Sequence, residues 1–178
     1  MNEKNTFWER AGKAGLVLGG VSIAYMAVTA LTGLIAAKVG GGLLFSLFNF
    51  ILWVAKFGGC IYLMRFFMRS YAASRTDGAG ASPFVFGMTV ALLSALLYSA
   101  AILVYISFIN PGMLTELFDA MRENPMMDSN ALALLDGLEA RKESFMFFTN
   151  LTYCTLFGTI VTGILSGSIP SKNPFEQN

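Results

Sequence analysis

The sequence predicts an all-α polytopic membrane protein: a four-helix transmembrane bundle with short amphipathic helices in the loop between spans three and four. Two observations of composition and one of pattern predict it. Hydrophobic residues make up 55% of the 178 and charged residues only 13%, against roughly 25% charged in a soluble domain. The charges gather in a few short stretches, so the residues between them form four apolar runs, each long enough to cross a hydrocarbon core of about 30 Å as a helix. Helix breakers stand between those runs. A chain of this length is read as one membrane domain, residues 1–178.

The first element follows a polar, basic start carrying Lys4, Arg10 and Lys13, with Phe7 and Trp8 between them. Trp at that position suits the headgroup layer. The apolar run 14–37 exceeds the about 7–15 residues of a secretory h-region and is read as span one. Lys38 and the glycines Gly40, Gly41 and Gly42 then permit a sharp reversal. Span two is 43–68, with Arg65, Arg69 and Arg75 at and beyond its end. Asp77-Gly78 signals a turn, and Pro83 is suited to open the next helix. Span three is 84–109 and stops at Asn110-Pro111-Gly112, where Asn110 is read as a cap. The polar stretch 110–144 accommodates two short helices. Met113, Leu114, Leu117, Phe118 and Met121 mark the apolar face of the first. Asn124-Pro125 breaks it. Asp128 or Ser129 caps the second, which runs through Leu132, Leu135 and Leu138. Span four is 145–169, ended by Pro170.

Basic residues set the expected orientation. Four crossings put both termini and the loop between spans two and three on one side, with Lys4, Arg10, Lys13, Arg69, Arg75 and Lys172 and with Arg65 at its edge. The other side holds Lys38, Arg122, Arg141 and Lys142 together with seven carboxylates: Glu116, Asp119, Glu123, Asp128, Asp136, Glu139 and Glu143. The bias predicts cytoplasmic termini in an inner (cytoplasmic) membrane.

Lys56 is the most informative residue. It lies midway between Leu43 and Arg69, hence near the bilayer centre. A Lys there costs about 2.5–3.5 kcal/mol on insertion scales. Such residues face a bundle interior or a wet cavity, and none of the four runs holds an Asp or Glu to pair with it. Counting inward from the assumed cytoplasmic ends brings Tyr25, Tyr98 and Tyr153 to the same depth, with Ser22, Ser94 and Thr155 nearby. The expectation is a midplane polar cluster anchored on Lys56, either as an ammonium ringed by hydroxyls or as a neutral amine. The competing reading has the flexible stem carry the ammonium toward an interface.

Other signals are weaker. Gly15 with Gly19, and Gly163 with Gly167, form GxxxG pairs that permit close helix approach; internal packing is preferred to dimerisation. Gly58 and Gly59, just beyond Lys56, permit the same approach or loosen the helix. Arg65, Arg69 and Arg75 are candidates for contact with lipid headgroups, although a purely topological role is the simpler reading. Met113, Met121, Met126 and Met127 lack the His or Cys neighbours of a copper site, and the carboxylates match no calcium-loop spacing. Cys60 and Cys154 read as small apolar side chains, not as a disulfide framework. The chain has no histidine, the commonest general base and metal ligand. It has no P-loop, dinucleotide fingerprint, HExxH or GxSxG. No catalytic, metal or cofactor site is expected, and no enzyme activity. A net charge of +1 gives no basic field for nucleic acid.

An ordered set of short motifs carries a family resemblance. A basic start leads into a glycine-bearing first span. The second span ends in Ile61-Tyr62 followed by Arg65 and Arg69. Ser82-Pro83-Phe84-Val85-Phe86-Gly87 opens span three, and Phe108-Ile109-Asn110-Pro111 closes it. The last span ends in Ile169-Pro170-Ser171-Lys172-Asn173-Pro174-Phe175. In these features the chain resembles the membrane proteins grouped as the domain of unknown function numbered 4199, found mainly in Bacteroidetes. The charged Arg-Asp step expected after span two is missing here. The resemblance implies topology and a bacterial source, and it carries no catalytic residues.

These readings converge on an uncharacterised, multi-pass inner-membrane protein. Its expected role is non-enzymatic: a scaffold, accessory subunit or envelope factor, with the acidic loop facing a membrane-protein partner. The alternative is a small homo-oligomeric transporter or channel built around Lys56. An intramembrane enzyme using Lys56 or the tyrosines ranks last.

Overall fold

Backbone N–H and C=O groups in hydrocarbon must be satisfied within the segment, which leaves helices as the solution for apolar runs of this length. The computed structural model describes residues 3–40, 42–74, 81–124 and 127–169. Six α-helices run in order: α1 (Glu3–Val39), α2 (Leu43–Ala73), α3 (Pro83–Val104), α4 (Gly112–Arg122), α5 (Ser129–Glu139) and α6 (Lys142–Ser166). Four helical segments are long and apolar enough to cross a membrane: Thr6–Val39, Leu43–Ala73, Pro83–Ile109 and Lys142–Ser166. The third of these is α3 together with the turn that follows it. Arg75, Asp77-Gly78, Pro125, Met126 and the tail from Pro170 lie outside the described residues.

Several boundaries differ from the expected ones for local reasons. Helix α1 starts well before the apolar run. Its polar beginning is stabilised by the Glu9–Lys13 pair one turn apart (2.6 Å), and by Phe7, whose ring meets Tyr71 at 5.8 Å and Phe86 at 5.9 Å edge-on. Trp8 stays exposed. Gly40 takes φ +84°, the left-handed conformation that ends α1 and that a side chain would resist. Ser82 caps α3 by accepting from the Val85 N–H at 3.2 Å, with Pro83 in the first turn. Asn110 does not cap α4. Its N–H instead donates to Tyr105 O at 2.8 Å, closing a π-helical turn over Tyr105–Ile109. Pro111 beyond it lacks an N–H to continue the ladder. Asp128 does cap α5, accepting from the Ala131 N–H at 2.7 Å.

Helix α3 is central and packs against α1, α2 and α6. Toward α6 it presents Gly87, Ala91, Ala95 and Ser99, one turn apart and all buried. Each step of four along this ridge is answered by a step of four back along α6. A Cβ on Gly87 would fall 2.5 Å from Thr162 Cγ2, and one on Gly158 would fall 2.6 Å from Ala91 Cβ. Further along, Asn150 Nδ2 donates to Ser99 Oγ at 2.9 Å. Toward α1 the same helix presents Leu93 and Leu97, which lie against Gly15 and Gly19. The first GxxxG pair is thus spent on internal packing. The second is not a packing pair: Gly163 would meet only Phe84, at 3.9 Å, and Gly167 lies past the end of α6.

The main core sits at one end of the bundle. Ala11, Ala14 and Leu18 of α1 join Met64, Met68 and Tyr71 of α2, Phe86 and Val90 of α3, and Ile169. Tyr71 stacks on Phe86 at 4.2 Å and donates to Ala81 O at 3.0 Å. The start of α1 and the end of α6 therefore share an end with the α2–α3 connection, where the exposed Arg10, Lys13, Arg65 and Arg69 also lie. At the other end Leu114 and Phe118 of α4 and Leu135 of α5 close over Ile106. The expected apolar face of α4 is divided: Leu114 and Phe118 are buried, whereas Met113, Leu117 and Met121 are exposed.

Overpacking a tight seam costs about 1–3 kcal/mol, so Gly158→Ala is expected to lower the unfolding midpoint in a denaturing-detergent titration. Gly163→Ala, whose added methyl would make only an ordinary contact with Phe84 at 3.9 Å, is expected not to lower that midpoint.

Candidate functional site

Helix α2 buries only Met64, Met68 and Tyr71, all toward its C-terminal end. Before Met64 its inward face carries Trp53, Lys56, Phe57, Cys60 and Ile61, which recur at helical spacing and look into a cavity rather than a packed seam. The cavity measures about 290 Å³, close to the lower end of the range for ligand sites. Its opposite wall is α6, with Tyr153, Cys154, Phe157, Gly158 and Val161. Leu18 and Ser22 of α1 and Ala91 and Ser94 of α3 form its floor. All four long helices contribute. The two outer walls touch through Phe57 and Phe157, whose rings meet edge-on at 5.1 Å.

The Lys56 ammonium lies over two aromatic rings. Its Nζ is 5.0 Å from the centroid of Tyr25 and 5.0 Å from that of Tyr98. Each such contact is worth about 0.5–2 kcal/mol depending on desolvation. Two together offset a large part of the about 2.5–3.5 kcal/mol that a mid-membrane Lys costs. Among the described residues Lys56 has no ion pair and donates no hydrogen bond.

The other residues singled out from sequence divide. Tyr25 and Tyr98 flank Lys56. Tyr153 shares the cavity with it but is 63% exposed, on the outer side of α6. Ser22 and Ser94 line the cavity, whereas Thr155 does not, and its Oγ1 is buried without a partner. Arg65 and Arg69 are exposed at the terminal end of the bundle, and Arg75 lies outside the described residues. Cys60 and Cys154 are free thiols, partly buried, on facing walls of the cavity. Depth counting did not single them out, nor the Phe57–Phe157 contact.

A second polar constellation joins α4 to α5. Arg122 donates to Asp119 at 2.9 Å, to Asp136 at 2.8 Å and also to Glu139. Asp136 first, then Glu139, hold the guanidinium above its ordinary value, so it stays charged throughout. Three of the seven loop carboxylates converge on this one arginine, Asp119 and Asp136 remaining mostly exposed. Among the described residues no group of His, Cys, Asp and Glu could hold a metal ion.

Replacing Lys56 by Met removes the charge that insertion must carry to mid-membrane. The variant is expected to reach wild-type membrane levels or exceed them, measured by immunoblot of isolated membranes. Failure to accumulate would make the ammonium–ring contacts essential to assembly.

No curated protein and no solved structure matches the chain. A family model does match, over residues 13–169, taking in α2 to α6 whole and α1 from residue 13. With nearly the whole chain matched, it belongs to the protein family of unknown function DUF4199.

Proposed function

We propose that this membrane protein is non-enzymatic and acts by binding a ligand at mid-membrane depth, as a small carrier or transporter. One observation carries the reading: a cavity walled by all four long helices has at its edge a lysine with no counter-charge. A scaffold has no need of such a space. Filling it with apolar side chains would stabilise the bundle, and removing a mid-membrane charge would ease insertion. The absence of histidine from the chain supports a binding role over a catalytic one.

An accessory-subunit role is the second reading. It is favoured by the exposed Met113, Leu117 and Met121 on α4, beside the Arg122 cluster. The positive-inside bias supports an inner (cytoplasmic) membrane with both termini in the cytoplasm.

The native thiols report on the cavity. N-ethylmaleimide, which crosses membranes, is expected to label Cys60 or Cys154 in the folded protein reconstituted in vesicles, read by mass spectrometry. Labelling that requires prior unfolding would mean a closed interior and would shift the assignment to an accessory subunit. Reporter fusions at each terminus are expected to read the cytoplasm. A periplasmic signal from either would overturn the proposed orientation.

A further inference from the structure

We propose that the Lys56 cavity binds a single-chain amphiphile bearing one negative charge, such as a long-chain carboxylate, which enters sideways from the bilayer between α2 and α6. This rests on the ligand-binding reading of the cavity and names the class of ligand.

Charge sets the head. Lys56 is the one basic side chain among the residues that line the cavity, none of which is acidic, and no carboxylate partners it among the described residues. A cation in a low-dielectric wall is stabilised most by one anion brought against it. A dianion would leave a charge uncompensated at mid-membrane depth, which is expensive. The rings of Tyr25 and Tyr98, each 5.0 Å from Nζ, stabilise the ammonium without neutralising it. Ser22 and Ser94 line the floor, where the Ser94 hydroxyl donates to Ala91 O at 3.2 Å, which leaves Lys56 as the group that meets the head.

The lining sets the tail. Leu18, Trp53, Phe57, Met64, Phe157 and Val161 make most of the wall apolar, which suits a hydrocarbon chain and not a hydrated ion. The way in follows from packing. Helix α2 buries nothing before Met64, and Trp53 and Tyr153 are exposed on either side of the cavity, at a depth that a mid-membrane Lys56 gives to the hydrocarbon. The Phe57–Phe157 contact is therefore the threshold between cavity and bilayer. A ligand that came only from water would have no use for an apolar threshold at that depth.

The test uses the full-length protein purified in a neutral maltoside detergent, titrated with dodecanoate, with methyl dodecanoate and with inorganic phosphate, and followed by native mass spectrometry and thermal unfolding. Dodecanoate is expected to bind one-to-one and to raise the unfolding midpoint, whereas its ester and phosphate do neither. Lys56→Met is expected to weaken dodecanoate about tenfold or more, and Lys56→Arg to retain most of the binding. In the wild-type protein dodecanoate is also expected to slow maleimide labelling of Cys60 and Cys154, a readout independent of how any variant folds. Equal binding of acid and ester, or unchanged binding in Lys56→Met, would overturn the anionic head. Binding of phosphate in place of dodecanoate would overturn the amphiphile while leaving a ligand cavity. Thiols that no reagent reaches in the folded protein would strike that underlying reading itself.

Discussion

The close approach of α3 and α6 is the constraint on which the rest of the bundle depends. Without a hydrophobic driving force between helices in lipid, association relies on van der Waals contact, and contact improves where side chains are small. Helix α3 gives its ridge of Gly87, Ala91, Ala95 and Ser99 to α6, and its leucines to the glycines of α1. What remains for α2 is its two ends: near its start Thr32 Oγ1 of α1 donates to Asn49 Oδ1 at 3.2 Å, and toward its finish Met64, Met68 and Tyr71 join the aromatic cluster around Phe86. The middle of α2 is consequently unsupported by close packing. The cavity is the space left over, and Lys56 stands in it.

The lysine is tolerable there because its surroundings are neither bare hydrocarbon nor a salt bridge. Two tyrosine rings offer electron-rich faces to the ammonium, each at 5.0 Å. Their combined worth approaches the cost of placing the charge at this depth. A carboxylate partner would have neutralised the site and closed it to any ligand. Rings stabilise the cation yet leave its charge available, which suits a group meant to meet an anion.

Depth was legible in the sequence and azimuth was not. Helical rise per residue is fixed, so counting from the ends of the runs placed Tyr25, Tyr98 and Tyr153 level with Lys56. Which way each ring points depends on how the helices are rotated about their axes, and that follows from tertiary contact. Two of the three rings turn toward the ammonium, while Tyr153 turns out. The spans were legible from composition alone, and the Asp128 cap and Pro83 start from local chemistry. The packing seam was present in the sequence as small residues every four positions. Glycine pairs drew the eye to Gly163 and Gly167 instead, although alanine, serine and threonine at that spacing serve as well. The π-helical turn before Pro111 left no signal that periodicity could detect.

The Asn150–Ser99 hydrogen bond does more than add affinity between two helices. A seam built from small residues at every fourth position is nearly self-similar under a slip of one turn. Shifted by four, Gly158 would face Gly87 and Cys154 would face Ala91, still small against small, so steric fit alone discriminates poorly between registers. The polar pair breaks that degeneracy. In the slipped alignment Asn150 would face Ala95, leaving its amide unsatisfied in an apolar seam at a cost of about 1–3 kcal/mol. One hydrogen bond thereby selects among sliding positions that packing leaves almost equal, and so determines which α6 residues, Cys154 and Phe157 among them, stand opposite Lys56.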